Sequence, residues 1–173
     1  DSRTCMLYTS AEILASGVSN GGYITRIGFD VTTAASQVMN GFKVFMKNET
    51  ASALSGFMTG GTLVYDAPYT VAGSGWQYIN LTTPFQWNGS QNLAIEICFN
   101  NSSYTSNTTV NGTDNALNQN KHNHSDLSTT DGCVAITTVG TTYTARPNIS
   151  LTVNAALNLS LENNQIPTKY ELA

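Results

Sequence analysis

The sequence predicts an all-β domain, an antiparallel β-sandwich of the jelly-roll or immunoglobulin-like kind, with one short helix near its N-terminus. Three observations support this class. Short segments alternate apolar with polar side chains, and clusters of Gly, Asn, Pro and Ser separate them. Charged residues make up only 10% of the 173 residues, while hydrophobic residues make up 40%. This apolar content argues against a disordered chain.

Seven or eight segments carry the strand pattern. The segment around Glu96 is apolar almost throughout, which predicts a central strand with both faces covered. Residues 100–130 have few apolar side chains and are predicted to form a long surface excursion with some extended pieces. In chain order the predicted strands are YITRIGFDVTT, GFKVFMKN, TLVYDA, WQYINLT, NLAIEICFN, CVAITTV and NISLTVNAALNLSL.

One segment, TSAEILASGVSNGG, carries a helix pattern. Thr9 or Ser10 is suited to cap its N-terminus, and Glu12 stands in its first turn. Ile13 and Leu14 are expected to point inward. The helix is predicted to span one or two turns.

Composition excludes several classes of function. The net charge is −4 with no basic patch, so no nucleic-acid partner is expected. No run of about 18 apolar residues predicts a membrane span. No GxSxG, HExxH or phosphate-binding glycine loop occurs, so we predict neither an enzyme nor a cofactor. The opening DSRTCMLYTS has no basic start or long apolar stretch and is expected to be a mature or trimmed N-terminus.

The chain contains three cysteines, Cys5, Cys98 and Cys133, and no CxxC pair that indicates zinc. In an exported chain Cys98 and Cys133 are the natural disulfide pair. They would close a loop of about 35 residues, which stabilises by about 3–4 kcal/mol. Cys5 would then be free or bonded to another chain. The alternative is three buried, reduced thiols.

Asn-X-Ser/Thr triplets are dense in this sequence. Either a host glycosylates several of them, which would coat the surface with sugar, or they arise by chance in a chain rich in Asn, Ser and Thr. The candidate sites are Asn48, Asn80, Asn88, Asn100, Asn101, Asn107, Asn111, Asn123, Asn148 and Asn158.

The segment KHNHSDL is a candidate metal site. His122, His124 and Asp126 are spaced two apart, so on a strand all three would point to one face. Two imidazoles and a carboxylate are suitable ligands for a divalent cation. The alternative is a solvated loop with hydrogen-bonded histidines.

Two further groups of side chains are candidates for a structural or binding role. Arg146 is expected to pair with an acidic residue such as Glu96 or Asp30. Three aromatic side chains either line a sugar-binding platform or pack in the core. They are Trp76, Tyr78 and Trp87.

The chain resembles a β-sandwich module of secreted, multidomain surface proteins of Bacteroidetes-type bacteria, from about Asp1 to Val153. The specific part is L-T-T-P-F-x-W-N-G-x-x-N-L-x-I-E-I-C-F-N-N, beside DSRTCMLYTSAEI, HNHSDL and RPNI. The tail IPTKYELA resembles the start of the C-terminal sorting domain of type IX secretion cargo, without the Asn-Pro-rich segment that usually follows. The resemblance implies export across the outer membrane.

Two departures from this family pattern bear on function. The family usually has Gln where Cys5 stands, which supports placing Cys5 outside the disulfide. It also usually carries a strand-like segment before DSRT, and this chain begins without it. A sandwich short of one strand has an open edge with unpaired N–H and C=O groups.

These observations predict two regions, a β-sandwich at 1–153 and an extended tail or partner-binding strand at 154–173. The predicted function is that of an extracellular structural or adhesive protein, a filament subunit whose copies assemble by strand exchange. In the tail, Ile166, Tyr170 and Leu172 are the expected contact residues. The alternative is a carbohydrate-binding or adhesion module of a larger secreted protein. The predicted partners are therefore other copies of the chain or surface glycans.

Overall fold

The computed structural model describes residues 1–103, 105–114, 117, 119–126 and 131–155. The prediction of an all-β, sandwich-like fold is confirmed. The helices are α1 (Ser10–Ala15) and α2 (Gly132–Ala135). The strands are β1 (Ser2–Tyr8), β2 (Gly22–Thr33), β3 (Lys43–Glu49), β4 (Thr62–Asp66), β5 (Gly75–Trp87), β6 (Asn92–Phe99), β7 (Thr109–Val110), β8 (Gly112–Asp114), β9 (Asn120–His124), β10 (Thr141–Tyr143), β11 (Ala145–Pro147) and β12 (Ile149–Ala155).

Two antiparallel sheets of unequal width form the sandwich. The larger has the order β10-β9-β1-β6-β3-β4, and the smaller has the order β12-β2-β5, with the short β7 pairing with β2. β8 and β11 form a separate pair. The edge strands β4 and β5 lie against each other, and Thr82 Oγ1 donates to the Val64 carbonyl at 3.0 Å. One side of the sandwich is therefore closed.

The core lies between the two sheets and is filled by alternate residues of their strands. Its largest fully buried side chains include Met6, Ile27, Trp87 and Ile95. Burial of each such side chain stabilises the fold by roughly 1.5–3 kcal/mol. Trp87 Nε1 donates to the Gln91 carbonyl at 2.8 Å, which satisfies the indole inside the core.

The predicted helix is present as α1. Thr9 is its N-cap, and Thr9 and Glu12 form a reciprocal capping box. Ile13 is buried, but Leu14 is exposed, so the prediction that both point inward is wrong. Adjacent helical residues point about 100° apart, and a helix of six residues buries a narrow stripe.

Several elements differ from the sequence predictions. β1, β10 and β11 were not predicted as strands, and β9 lies in the stretch 100–130, for which a surface excursion with some extended pieces was predicted. β1 lies inside the larger sheet and pairs with both β6 and β9. The segment CVAITTV was predicted as a strand, but residues 132–135 form α2. Asp131 caps α2 by accepting from the Cys133 N–H at 2.9 Å. Hydrogen bonds with distant strands and this cap therefore override the local pattern.

Candidate functional site: the open edge of the sandwich

The outer edge of the smaller sheet is formed by β12. This strand pairs with β2 from Ile149 opposite Phe29 to Ala155 opposite Gly22. On its other side no strand of the described residues pairs with it. Its apolar residues 149, 151 and 153 pack against the core but are only half-buried. β12 therefore offers a row of backbone groups beside an incompletely covered apolar row.

The larger sheet extends beyond the smaller one on this side. Since β4 and β5 meet at the closed side, the excess strands of the larger sheet, β9 and β10, lie toward the open side. Asn120 pairs in register with Met6, a core residue, so the side chains at 120, 122 and 124 share the core-facing side of the sheet. Along β9 they pass from buried Asn120 to exposed His124. β11 lies over the Asn120 end, where Asn120 Nδ2 donates to the Ala145 carbonyl at 3.1 Å. Among the described residues, no strand of the smaller sheet pairs beyond β12 to cover the exposed end at His124.

Three ring side chains lie at this end of the larger sheet, and we name them the His–Tyr patch: His122, His124 and Tyr143. The His122 ring lies 5.8 Å from that of His124 and 6.4 Å from that of Tyr143, between centroids. His122 Nδ1 lies 2.8 Å from Thr4 Oγ1. Burial, together with the neighbouring His124, lowers the pKa of His122. The patch thus consists of three rings, and burial disfavours the charged form of the His122 ring.

The chain leading into β12 is firmly anchored. The Arg146 guanidinium donates to the Leu7 carbonyl and pairs with the Glu12 carboxylate. It also lies 4.4 Å from the centroid of the Tyr8 ring. Tyr8 Oη donates to the Pro147 carbonyl at 2.6 Å. These contacts tie the start of β12 to the end of β1, so the open edge is held in a defined position.

The prediction that Arg146 pairs with Glu96 or Asp30 is wrong. Glu96 lies on the other face of the larger sheet, where Arg3 binds it, and Asp30 accepts a hydrogen bond from Asn111. The sequence alone did not show which acidic residue each arginine contacts. Arg3 and Glu96, like Arg146 and Glu12, are far apart in the chain and meet only in the folded protein.

The outer face of the larger sheet holds a small cavity of about 230 Å³, bordered by Arg3, Glu96, Met58, Phe45 and Val134, among others. Arg3 Nη1 donates to the Ile136 carbonyl at 2.9 Å, and its other nitrogens contact Glu96. Because its two charged residues already bind each other, the cavity offers little to a charged ligand.

The predicted metal ligands His122, His124 and Asp126 are not among the described groups whose ligand atoms all lie within 4.8 Å of one another. Within the described ranges, the one group of three candidate ligands whose atoms all lie within 4.8 Å is Cys98, Asp131 and Cys133, and its sulfurs are bonded to each other. His122 and His124 do share one face, as the spacing predicts, but Asp126 lies beyond the end of β9. Metal binding by these residues stays a hypothesis without a converging ligand set.

The disulfide between Cys98 and Cys133 is present as predicted and ties β6 to α2. Cys5 is free and fully buried on β1. Burial, with a smaller effect of the Glu96 charge, raises the pKa of the Cys5 thiol to about 12. A protonated, inaccessible thiol does not suit a bond to another chain.

The candidate glycosylation sites differ in exposure. Many side-chain amides already donate hydrogen bonds, namely those of Asn48, Asn88, Asn101, Asn111 and Asn123. Asn100 and Asn148 are half-buried. Asn80 and Asn107 are exposed and make no side-chain hydrogen bond to another described residue. Asn158 lies outside the described residues. Glycosylation stays a prediction, and exposure favours Asn80 and Asn107.

The three candidate sugar-binding aromatics separate into two groups. Trp87 is a core residue, so its proposed place in a platform is wrong. Trp76 and Tyr78 are each 44% exposed on β5, with ring centroids 6.4 Å apart and planes 20° apart. The Arg26 guanidinium lies 4.4 Å from the Tyr78 centroid. The Tyr78 ring also lies over Gly28. A Cβ atom at position 28 would come within 2.6 Å of this ring, so glycine there leaves room for it.

Comparison with known proteins finds no matching family model, no matching curated protein and no matching solved structure. Among the described residues, no helix is long and apolar enough to cross a membrane. The tail residues Ile166, Tyr170 and Leu172 lie outside the described residues, so their contacts stay predictions. Sequence reasoning missed Tyr143, since a single tyrosine between polar residues carries no signal of the surface that it joins.

Proposed function

We propose that this chain is an extracellular structural or adhesive β-sandwich without catalytic activity, whose copies join by strand exchange. The observation that carries the proposal is that, among the described residues, β12 is paired on one side only and lies toward the end of the larger sheet where His124 is exposed. An added strand would pair with the free backbone groups of β12, which is the recurring mode of β-augmentation. Such a strand would also complete the burial of the apolar row on β12.

The tail following β12 supplies a strand of suitable sequence. Ile166, Tyr170 and Leu172 are all at even positions, so in an extended chain they face the same side. An extended residue spans about 3.3 Å, so the tail is long enough to reach a neighbour. A head-to-tail contact of this kind does not close on itself, and it therefore generates filaments.

The extracellular location is part of the proposal. A disulfide is typical of an oxidising compartment, and the structure joins Cys98 to Cys133. The resemblance to secreted surface modules and to the start of a type IX sorting domain supports export. A cover of neutral polar side chains agrees with this setting.

Removal of residues 156–173 is expected to abolish assembly while the sandwich stays folded, because β12 itself ends at Ala155. Electron microscopy and light scattering would compare the truncated and full-length chains, with circular dichroism to show that both are folded. A sharper variant replaces Ile166, Tyr170 and Leu172 with Asp. Its control, Lys169→Ala, changes the opposite side of the extended tail and should still form filaments. Filaments of the truncated chain would refute the proposal.

Carbohydrate binding is a second candidate function, favoured by the exposed Trp76 and Tyr78 rings. We expect a bound polysaccharide to quench or shift the fluorescence of Trp76 and to leave Trp76→Phe unaffected, since the remaining Trp87 is buried. Spectra that stay constant across neutral and acidic polysaccharides would count against this function.

A further inference from the structure

We infer that the partner's strand is received in an acceptor groove formed by the open edge of β12 and the His–Tyr patch, and that residues 165–172 of a second copy occupy it. This inference rests on the proposed function and specifies its interface. Three features of the chain support it: the width of the two sheets, the chemistry of the groove and the reach of the tail.

The width of the two sheets places the groove. From the closed side, where β4 meets β5, the smaller sheet runs through β2 and ends at β12. From the same side the larger sheet runs through β3, β6 and β1 to β9 and β10. One more strand beside β12 would lie about 5 Å farther out and would face the larger sheet near the exposed His124 and Tyr143 side chains.

The chemistry of the groove fits an apolar strand. One wall is the half-buried row at 149, 151 and 153, and the other is the patch of His122, His124 and Tyr143. Neither wall includes a carboxylate, a lysine or an arginine. The partner segment would present Ile166, Tyr170 and Leu172 to the groove. Its charged residues, Lys169 and Glu171, alternate with these and would remain on the solvent side.

The reach of the tail argues for a second copy over the same chain. Residues 156–162 contain no glycine or proline, so the sequence offers no turn signal directly after Ala155. The nearest turn signal is Asn163–Asn164. A tight turn there would pair residue 165 with 162 and residue 172 with 155. The tail would then lie beside residues 155–162 of its own chain and would not reach the row at 149, 151 and 153 that forms the groove.

Two disabled chains test the inference. The first carries Tyr143→Asp and an intact tail, and the second lacks residues 156–173 and has an intact groove. Each alone is expected to stay monomeric. In the first chain, the new carboxylate in the groove would be buried without a partner when a strand binds. The second chain has no tail to donate to a neighbour. Mixed in equal amounts, they should form a heterodimer and no larger species, measured by light scattering after size exclusion. Tyr78→Asp changes an equally exposed tyrosine on β5 and should still form filaments.

The outcomes separate this inference from the proposed function. If full-length chains never associate, the proposed function fails. If they associate but Tyr143→Asp still forms filaments, or the mixture gives no heterodimer, the acceptor groove is wrong and the function stands. A synthetic peptide of residues 164–172 should also bind the truncated chain. Should Tyr143→Asp fail to fold, His124→Asp at the exposed end of the patch replaces it in the same mixture.

Discussion

Replacing Arg3 with alanine is expected to lower the free energy of unfolding by about 3–5 kcal/mol, because it leaves a buried charge without its partner. Glu96 is only 3% exposed. Its Oε1 accepts from Arg3 Nε at 3.0 Å and from Nη2 at 2.8 Å, and its Oε2 accepts from the Met58 N–H at 2.8 Å. The Arg3 guanidinium also stacks on Phe57, 4.7 Å from the ring centroid, so its loss removes packing as well.

Denaturant unfolding followed by tryptophan fluorescence would measure this loss. The matched control is Lys47→Ala, which breaks a more exposed ion pair with Glu49 and should cost at most about 1 kcal/mol. The double variant Arg3→Met with Glu96→Leu should recover most of the stability, since apolar residues of similar size avoid the desolvation cost of a buried pair. An Arg3→Ala variant as stable as the Lys47 control would show that the buried pair does not stabilise the fold.

Removal of the disulfide is expected to lower the free energy of unfolding by about 3–4 kcal/mol, as the chain-entropy relation gives for a loop of this length. The cysteines lie 35 positions apart and link β6 to α2. The loop that they close includes β9, which lies between β1 and β10 in the larger sheet. A variant with Ala at Cys98 and Cys133, or the reduced protein, therefore gains freedom mainly in the unfolded state.

Unfolding in the presence and absence of a reductant would measure the effect of the disulfide. Cys5→Ala is the control, because Cys5 is free, and reduction should destabilise this variant as much as the unmodified protein. The variant without Cys98 and Cys133 should not respond to the reductant. If the unmodified protein also shows no response, the disulfide does not contribute to stability.

The strands with an alternating apolar pattern could be predicted from the sequence. In β2, Ile27 and Val31 are buried as the alternation indicates, and β6 lies between β1 and β3 as its nearly continuous apolar run predicts. The capping residues Thr9 and Glu12 also mark the start of α1. Each of these signals is local, because it depends on side chains a few positions apart.

Other features escaped prediction because they depend on contacts between distant segments. β9 has the sequence NKHNH, which has no apolar alternation, and it is a strand because β1 and β10 pair with it on both sides. Arg146 meets Glu12 and the Leu7 carbonyl, which are more than 130 positions away in the chain. No local pattern carries these partners.

The sequence by itself determined the all-β class and the short helix, because hydrophobic alternation and capping residues act locally. It favoured Cys98 and Cys133 as the disulfide pair but left three reduced thiols as the alternative. Only the tertiary structure decided which strand edge stays open. The order of strands in a sheet depends on hydrogen bonds and packing between segments far apart in the chain. In the part of the chain that the structure describes, this order leaves β12 paired on one side only, with the His–Tyr patch toward the same side of the sandwich.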